Sequence, residues 1–453
     1  MSDRKRQLHL GFTIWPTGFH PAGWRLERAI DDGNTNPTFL RDVARTAERG
    51  LFDFFFIGDQ LIGLPEWQYA RPNQVLRPEA IGLAGFIAAA TTHLGIVVTV
   101  NTTYAEPYST ARALATLDHL SQGRIGWNVV TGEADESAPN FGRRALWDNA
   151  RRYDWAEDFT AAVTELWDSW EDGARVANKA TGEFVDERMV HRIEHRGDFF
   201  SVLGPLNVER PVQGQIPIVN AGRSERSAQL GARFSDIKFT NDTCLGLEGA
   251  RAVYDDLKGR LAEHGRDPDD QYVIPGLITY VGRDKAEGHA IFREVHALTN
   301  TDYDLGRLSA FLGVDVAGYD LDADTNGIPE LERLDDPEAA RFVAESRANF
   351  GPGAVPLREL YHVWLRKAFF TSVAGGPIEI ADFIQEWWEA RAVDGFMIFP
   401  PYEPEPIERF VDLVVPELQR RGIYRTAYEG STLRDHFDLP RPVSRYSAVP
   451  ERA

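Results

Sequence analysis

Eight short apolar runs recur along this chain, each followed by a polar or glycine-bearing break and then a helical stretch, and this alternation narrows the possible folds more than any other feature. The runs are Leu8–Ile14, Phe52–Asp59, Leu94–Asn101, Arg124–Thr131, Ile216–Ala221, Asp236–Asn241, Tyr272–Val281 and Gly395–Pro400. Several are apolar at nearly every position, as strands covered on both faces must be. Between them the apolar residues fall at i, i+3, i+4 spacing, predicting helices over Asn36–Arg49, Thr110–Leu120, Arg151–Trp170, Leu247–His264, Ile378–Arg391 and Glu405–Arg421. Strands joined by helical crossovers give a parallel sheet, and eight of them predict an α/β fold of the closed (β/α)8 TIM-barrel type. A doubly wound sheet is the alternative. It calls for a G-x-G-x-x-G turn after an early strand, and the chain has none.

Barrels with insertions reach 453 residues as one unit, so a single domain over 1–453 is expected. Two stretches break the alternation and are predicted insertions. Residues 174–213 are polar with a hairpin near His195–Leu203, and residues 300–356 are acidic and glycine-rich. Long connections of this kind serve as lids or binding loops. The tail over 424–453 is expected to wrap the outside of the barrel.

The formal net charge is −20, which argues against the clustered basic surface that nucleic acid requires and disfavours a site for anionic lipid. No run approaches a membrane span and the amino terminus lacks a signal-peptide apolar core, so a cytoplasmic protein is expected. With Cys244 alone, neither an internal disulfide nor a cysteine metal site can form.

Two metal-like patterns carry little. His191-x-x-Glu194-His195 matches a zinc-peptidase motif that needs a helix, and Gly197 with the alternating run behind it predicts a turn and strand instead. Asp322-x-Asp324-x-Asn326-Gly327 opens like a calcium loop, but Arg333 stands where a bidentate Glu is required. No metal is expected.

In a barrel the active site lies at the carboxyl ends of the strands. Those ends carry Asp59, Asn101 with Thr102 and Thr103, Asn128 with Thr131, Gly222 with Ser224, and Thr240 with Asn241. Thr and Asn also end strands simply as turn formers, but five strands out of eight favour a site. Asn220-Ala-Gly222-Arg-Ser224 precedes an alanine-rich helical stretch. Its glycine lets a ligand approach the backbone, Ser224 suits an N-cap, and the first-turn N–H groups suit a phosphate.

The block GRIGWNVVTGEADESAPNFG (Gly123–Gly142) resembles the "GRxGWNxVT…NFG" block of the nitrilotriacetate monooxygenase component A group, a branch of the luciferase-like flavin monooxygenases. Similar kinship runs through Thr46–Asp59, Thr102–Arg124, Arg151–Phe159, Pro217–Thr240, Asp394–Pro400 and Tyr428–Pro442, nearly the whole chain.

The resemblance implies a monooxygenase using non-covalent reduced FMN and O2 through a flavin C4a-peroxide, oxygenating a small organic molecule. It further implies a separate NAD(P)H:flavin reductase and a homo-oligomer, dimer or tetramer. Carried over by position, Asp59, Thr102 and Thr103 would meet the ring and ribityl chain, with Asn128 beneath the ring. Tyr153 would reach the ribityl or phosphate, and Gly222 and Ser224 would cradle the phosphate. Asn149 stands where the group usually has a His; it would still bind the cofactor by hydrogen bonding, but it cannot titrate. Thr131-Gly132 replaces the commoner Thr-Ser. His20, just after the first strand, would face the reactive edge of the flavin as a catalytic group, since imidazole titrates near neutral pH. Arg25, Arg143 and Arg144 are candidates to meet an anion. A deazaflavin hydride-transfer enzyme of the same superfamily and a non-catalytic flavin-binding barrel are the competing readings.

Overall fold

The computed structural model describes residues 6–15, 17–63, 75–132, 134–222, 224–241, 243, 246–298, 301–350, 353–368 and 371–447. Cys244 lies outside them. The eight expected strands are β1 (His9–Thr13), β2 (Phe54–Ile57), β3 (Gly95–Asn101), β4 (Ile125–Val130), β5 (Ile218–Ala221), β6 (Ile237–Thr240), β7 (Tyr272–Val281) and β8 (Gly395–Phe399). Each pairs in parallel with the next, and β8 returns to β1, so the sheet closes.

The helices are α1 (Pro37–Arg49), α2 (Ala80–Ala90), α3 (Pro107–Ser121), α4 (Asn149–Asp168), α5 (Glu225–Phe234), α6 (Gly246–Arg260), α7 (Lys285–Ala297), α8 (Thr301–Leu312), α9 (Pro337–Phe350), α10 (Leu357–Ala368) and α11 (Pro377–Glu389). The 405–420 stretch is also helical, through a π turn at Phe410–Val414. Local chemistry starts them. Asn36 accepts from Thr38 N and Phe39 N ahead of Pro37, and Asp148 accepts from Arg151 N to open α4.

The alternation along β2 shows how the layers form. Phe54 and Phe56 join Val97, Val219, Ile237, Ile274 and Phe399 in one buried cluster inside the barrel. Phe55 and Ile57 join Leu10, Ile96 and Trp127 in a second, packed against Val43, Leu114 and Phe159 of the helices. Successive side chains of a strand point to opposite faces, so one run feeds both layers. Each fully buried phenylalanine contributes about 1.5–3 kcal/mol.

The C-terminal segment, expected along the outside, seals the amino-terminal end of the barrel. Leu433 and Phe437 are fully buried with the interior cluster. A Cβ on Gly95 or Gly126 would come within 2.5 or 2.9 Å of Leu433, so the two glycines make room for this plug. Arg425 reaches from the same segment to Asp53, which also accepts from Leu10 N at 2.7 Å and meets His9 Nδ1 at 3.0 Å. Burial alone would push the Asp53 carboxyl up, but the Arg425 and His9 charges hold it below its ordinary value.

The first insertion contains the expected hairpin, His195–Arg196 with Ser201–Val202. The second is more ordered than its composition predicts. Helices α8, α9 and α10 share an apolar core of Leu308, Leu312, Phe342, Leu357, Leu360 and Tyr361. A short strand, Ser372–Gly375, pairs with the upper half of β7, an element absent from the sequence reading. Among the described residues no helix is long and apolar enough to cross a membrane.

Candidate active site

The carboxyl end of β5 forms a cradle. Gly222 has φ +117°, and a Cβ there would lie 2.9 Å from Ser227 Oγ and 3.3 Å from Tyr153 Oη. The missing side chain therefore leaves a concavity walled by a hydroxyl and a phenol. Ser224 caps α5, its Oγ accepting from Ser227 N at 3.2 Å. The N–H groups of the first turn remain available beyond that cap. Arg223, between the two, lies outside the described residues. Tyr153 comes from α4 and is buried. Asn149 lies one turn earlier and is exposed, and Asp148 rather than Asn149 caps the helix.

Across the mouth, Asn128 is 3% exposed, and its Nδ2 donates to Thr99 Oγ1 at 2.9 Å. Its Oδ1 is buried with no hydrogen-bond partner, an acceptor directed at nothing in the protein. Thr102 and Thr103 are fully buried, but their hydroxyls donate to the β4 side, to Val130 O at 3.2 Å and Thr131 O at 2.7 Å. Toward a ligand these hydroxyl oxygens can only accept. Asp59 is half-buried, accepts from Gln60 N at 2.8 Å, and has its carboxyl raised by burial.

His20 is buried at the rim, on the loop after β1. Its Nδ1 accepts from Ala22 N at 3.1 Å, which places the ring proton on Nε2. Its edge meets His296 of α7, with ring centroids 4.6 Å apart, and His296 Nε2 lies 3.2 Å from Tyr280 Oη. Arg25 is spent on Leu298 O at 2.5 Å and Arg144 is exposed.

Arg143, one of the anion candidates of the sequence, stands over the ends of β3 and β4 in a group whose aromatic members, Tyr104, Trp147 and Trp155, sequence reasoning missed. Trp155 Nε1 donates to Thr102 O at 2.8 Å, and Arg152 donates to Gly132 O. The Arg143 guanidinium lies 3.8 Å from the Trp147 ring and 5.1 Å from that of Tyr104. Arg143 Nη1 and Tyr104 Oη are both buried without a partner. Burial pushes the Arg143 guanidinium below its ordinary value. The only sequence signal was an aromatic-arginine run after the Asn140-Phe-Gly block.

The metal-like patterns resolve as loops. His191 meets Glu171 at 2.8 Å, while His195 in the hairpin meets Asp158 at 2.7 Å and Glu165 at 2.9 Å. Asp322 pairs with Arg358, and Asp324 caps a short 3-10 turn. Among the described residues no three or more His, Cys, Asp or Glu groups converge as a metal site.

The concavity at Gly222 and the buried, unpartnered acceptor of Asn128 have the chemistry that a phosphate-bearing ring cofactor such as a flavin needs. Fold and mouth together define a flavin-dependent barrel oxidoreductase. The luciferase-like monooxygenase family model matches residues 18–350, and the chain belongs to that family. It is 39% identical over 452 residues to N-acetyl-S-(2-succino)cysteine monooxygenase of Bacillus subtilis, covering 99% of this chain and 100% of that one. It is 40% identical to nitrilotriacetate monooxygenase component A of Aminobacter aminovorans, covering 96% and 97%. The solved EDTA monooxygenase of Chelativorans sp. BNC1 superimposes with a TM-score of 0.78 at 30% identity, covering 96% of this chain and 99% of that one. The protein is a two-component, flavin-dependent monooxygenase that uses reduced flavin and O2, with a separate reductase as its partner.

Proposed function

We propose that the flavin is FMN, that a separate NAD(P)H:flavin reductase supplies it reduced, and that the substrate is a small carboxylate-bearing molecule oxygenated in the cytoplasm. The Gly222 cradle carries the FMN reading. It offers Ser224 and Ser227, the Tyr153 phenol and the first turn of α5 to one phosphate. Asn128 and Asp59 would hold the ring end, and Thr102 and Thr103 would present acceptor oxygens to it.

Bound reduced flavin supplies the activation of O2, and the protein supplies orientation and a dry pocket. His20, with its proton on Nε2 and its ring buried, can hold or deliver a proton at that atom. The substrate class rests on Arg143, a cation with one buried nitrogen unpartnered inside a wall of Tyr104 and Trp147. Nitrilotriacetate and N-acetyl-S-(2-succino)cysteine, named for the two relatives, both carry carboxylates. Helices α8 to α10 would serve as a lid, and the enzyme would work as a homo-oligomer.

The test is oxygen consumption and product formation with chemically reduced FMN, with a reductase and NADH, and with NADH alone, over a panel of carboxylates and uncharged sulfur compounds. Turnover with NADH alone would overturn the two-component route. Product only from uncharged compounds would overturn the substrate class.

A further inference from the structure

One cation is buried where a barrel ordinarily packs only apolar side chains. Lys238 lies in β6, directly opposite Asn220 of β5, and both point away from the interior toward α5. Lys238 is 2% exposed. Its Nζ donates to Asn220 Oδ1 at 2.5 Å, to Ser227 Oγ at 2.9 Å and to Ser227 O at 3.5 Å. Ser227 is the same residue whose Oγ would lie 2.9 Å from a Cβ on Gly222. The ammonium is thus one hydroxyl away from the cradle.

We propose that Lys238 is a positioning residue for the flavin phosphate, acting through Ser227. This rests on the FMN reading above. Two physical points support it. A hydroxyl has one proton and two lone pairs. With Lys238 donating into Ser227 Oγ, that hydroxyl faces the cradle as a donor. In the free protein it donates to Ala221 O at 2.9 Å or Asn220 Oδ1 at 3.1 Å. Asn220 Oδ1 is already served by Lys238, so Ser227 can turn its proton to an anion without stranding that acceptor.

The second point is electrostatic. The amino-terminal turn of a helix is already positive, and the Lys238 ammonium adds positive charge behind it, so both favour an anion in the cradle. The acidic residue of that turn, Glu225, is turned away to Arg260 at 2.6 Å.

The experiment measures the affinity of the full-length protein for FMN and for riboflavin by fluorescence titration, in wild type, Lys238→Met and Ser227→Ala. The expected result is a loss of about tenfold or more in FMN affinity in both variants, as for a lost charge-assisted contact. Riboflavin, which lacks the phosphate, should bind all three alike. Lys238→Gln, neutral but still hydrogen-bonding, should behave as Lys238→Met does, and it carries the test if the methionine variant does not fold. Equal loss for FMN and riboflavin would reduce Lys238 to a structural residue, as would no loss for either. A wild type that binds riboflavin as tightly as FMN would overturn the phosphate reading itself, an outcome visible before any variant is made.

Discussion

The phenol of Tyr153 stands 3.3 Å from where Gly222 would carry a side chain, so α4 and the end of β5 share one concavity that a single methyl group would fill. Gly222→Ala should weaken flavin binding at least tenfold. The Cβ meets both Ser227 Oγ and Tyr153 Oη, and φ +117° strains any L-residue by about 1–2 kcal/mol. Flavin titration beside a thermal melt separates the two effects. A variant with wild-type affinity would remove the cradle from the site.

His20 and Asp59 should fail in opposite ways. The buried His20 imidazole, donating from Nε2, is placed to act in chemistry, so His20→Ala should keep flavin affinity within about threefold of wild type. Its ratio of hydrogen peroxide to product should rise, with product formation falling about a hundredfold as for a lost acid–base group. Asp59→Ala should weaken flavin binding first. Full coupling in the His20 variant would return that residue to a structural role beside His296.

Leu433 plugs the end of the barrel away from the mouth. Leu433→Ala should destabilise the fold by about 2–5 kcal/mol, because the rigid ring of strands around it cannot collapse into the cavity. Its flavin affinity at the folded state should be unchanged. Denaturant unfolding measures the first and titration the second; a loss below about 1 kcal/mol would mean the plug packs loosely.

The barrel was legible because its strands obey a local rule: apolar runs with polar ends, repeated eight times. Ser224 as a cap was legible for the same reason, since it follows from its immediate neighbours. The features that escaped depend on distant partners. Nothing in the run Ile237-Lys-Phe-Thr says that the lysine is buried against Ser227, and nothing near His20 announces His296. The helices of the second insertion hid for another reason. Their apolar positions, Leu305, Leu308 and Leu312 among them, keep helical spacing, but Gly313, Gly318 and an acidic run interrupt the pattern. Leu433 and Phe437 sit in a polar, proline-bearing tail whose role appears only once the barrel has an end to close.

Two buried groups make opposite contributions to acid stability. His436, whose Nδ1 lies 3.1 Å from Asp53 O, is pushed down to about 4 by burial, only partly offset by the Asp53 charge. Between about pH 4 and 6.5 the unfolded chain binds a proton there and the native chain does not, so this group's stabilisation is lost as pH falls. Asp118, accepting from Gln213 Nε2 at 2.7 Å, is pushed up to about 6 by burial against the pull of those hydrogen bonds. Between about pH 4 and 6 the native chain holds a proton that the unfolded chain has released, so its stabilisation grows as pH falls. Each effect is about 3 kcal/mol across its window, and the two nearly cancel. Asp118→Asn keeps an acceptor for Gln213 but removes the titration. Its stability relative to wild type should therefore fall by about 3 kcal/mol from pH 6.5 to 4. His436→Gln should do the reverse, gaining on wild type over the same interval. Denaturant unfolding at half-unit steps of pH reads both differences directly, and curves that run parallel to wild type in both variants would show that neither group titrates as its burial demands.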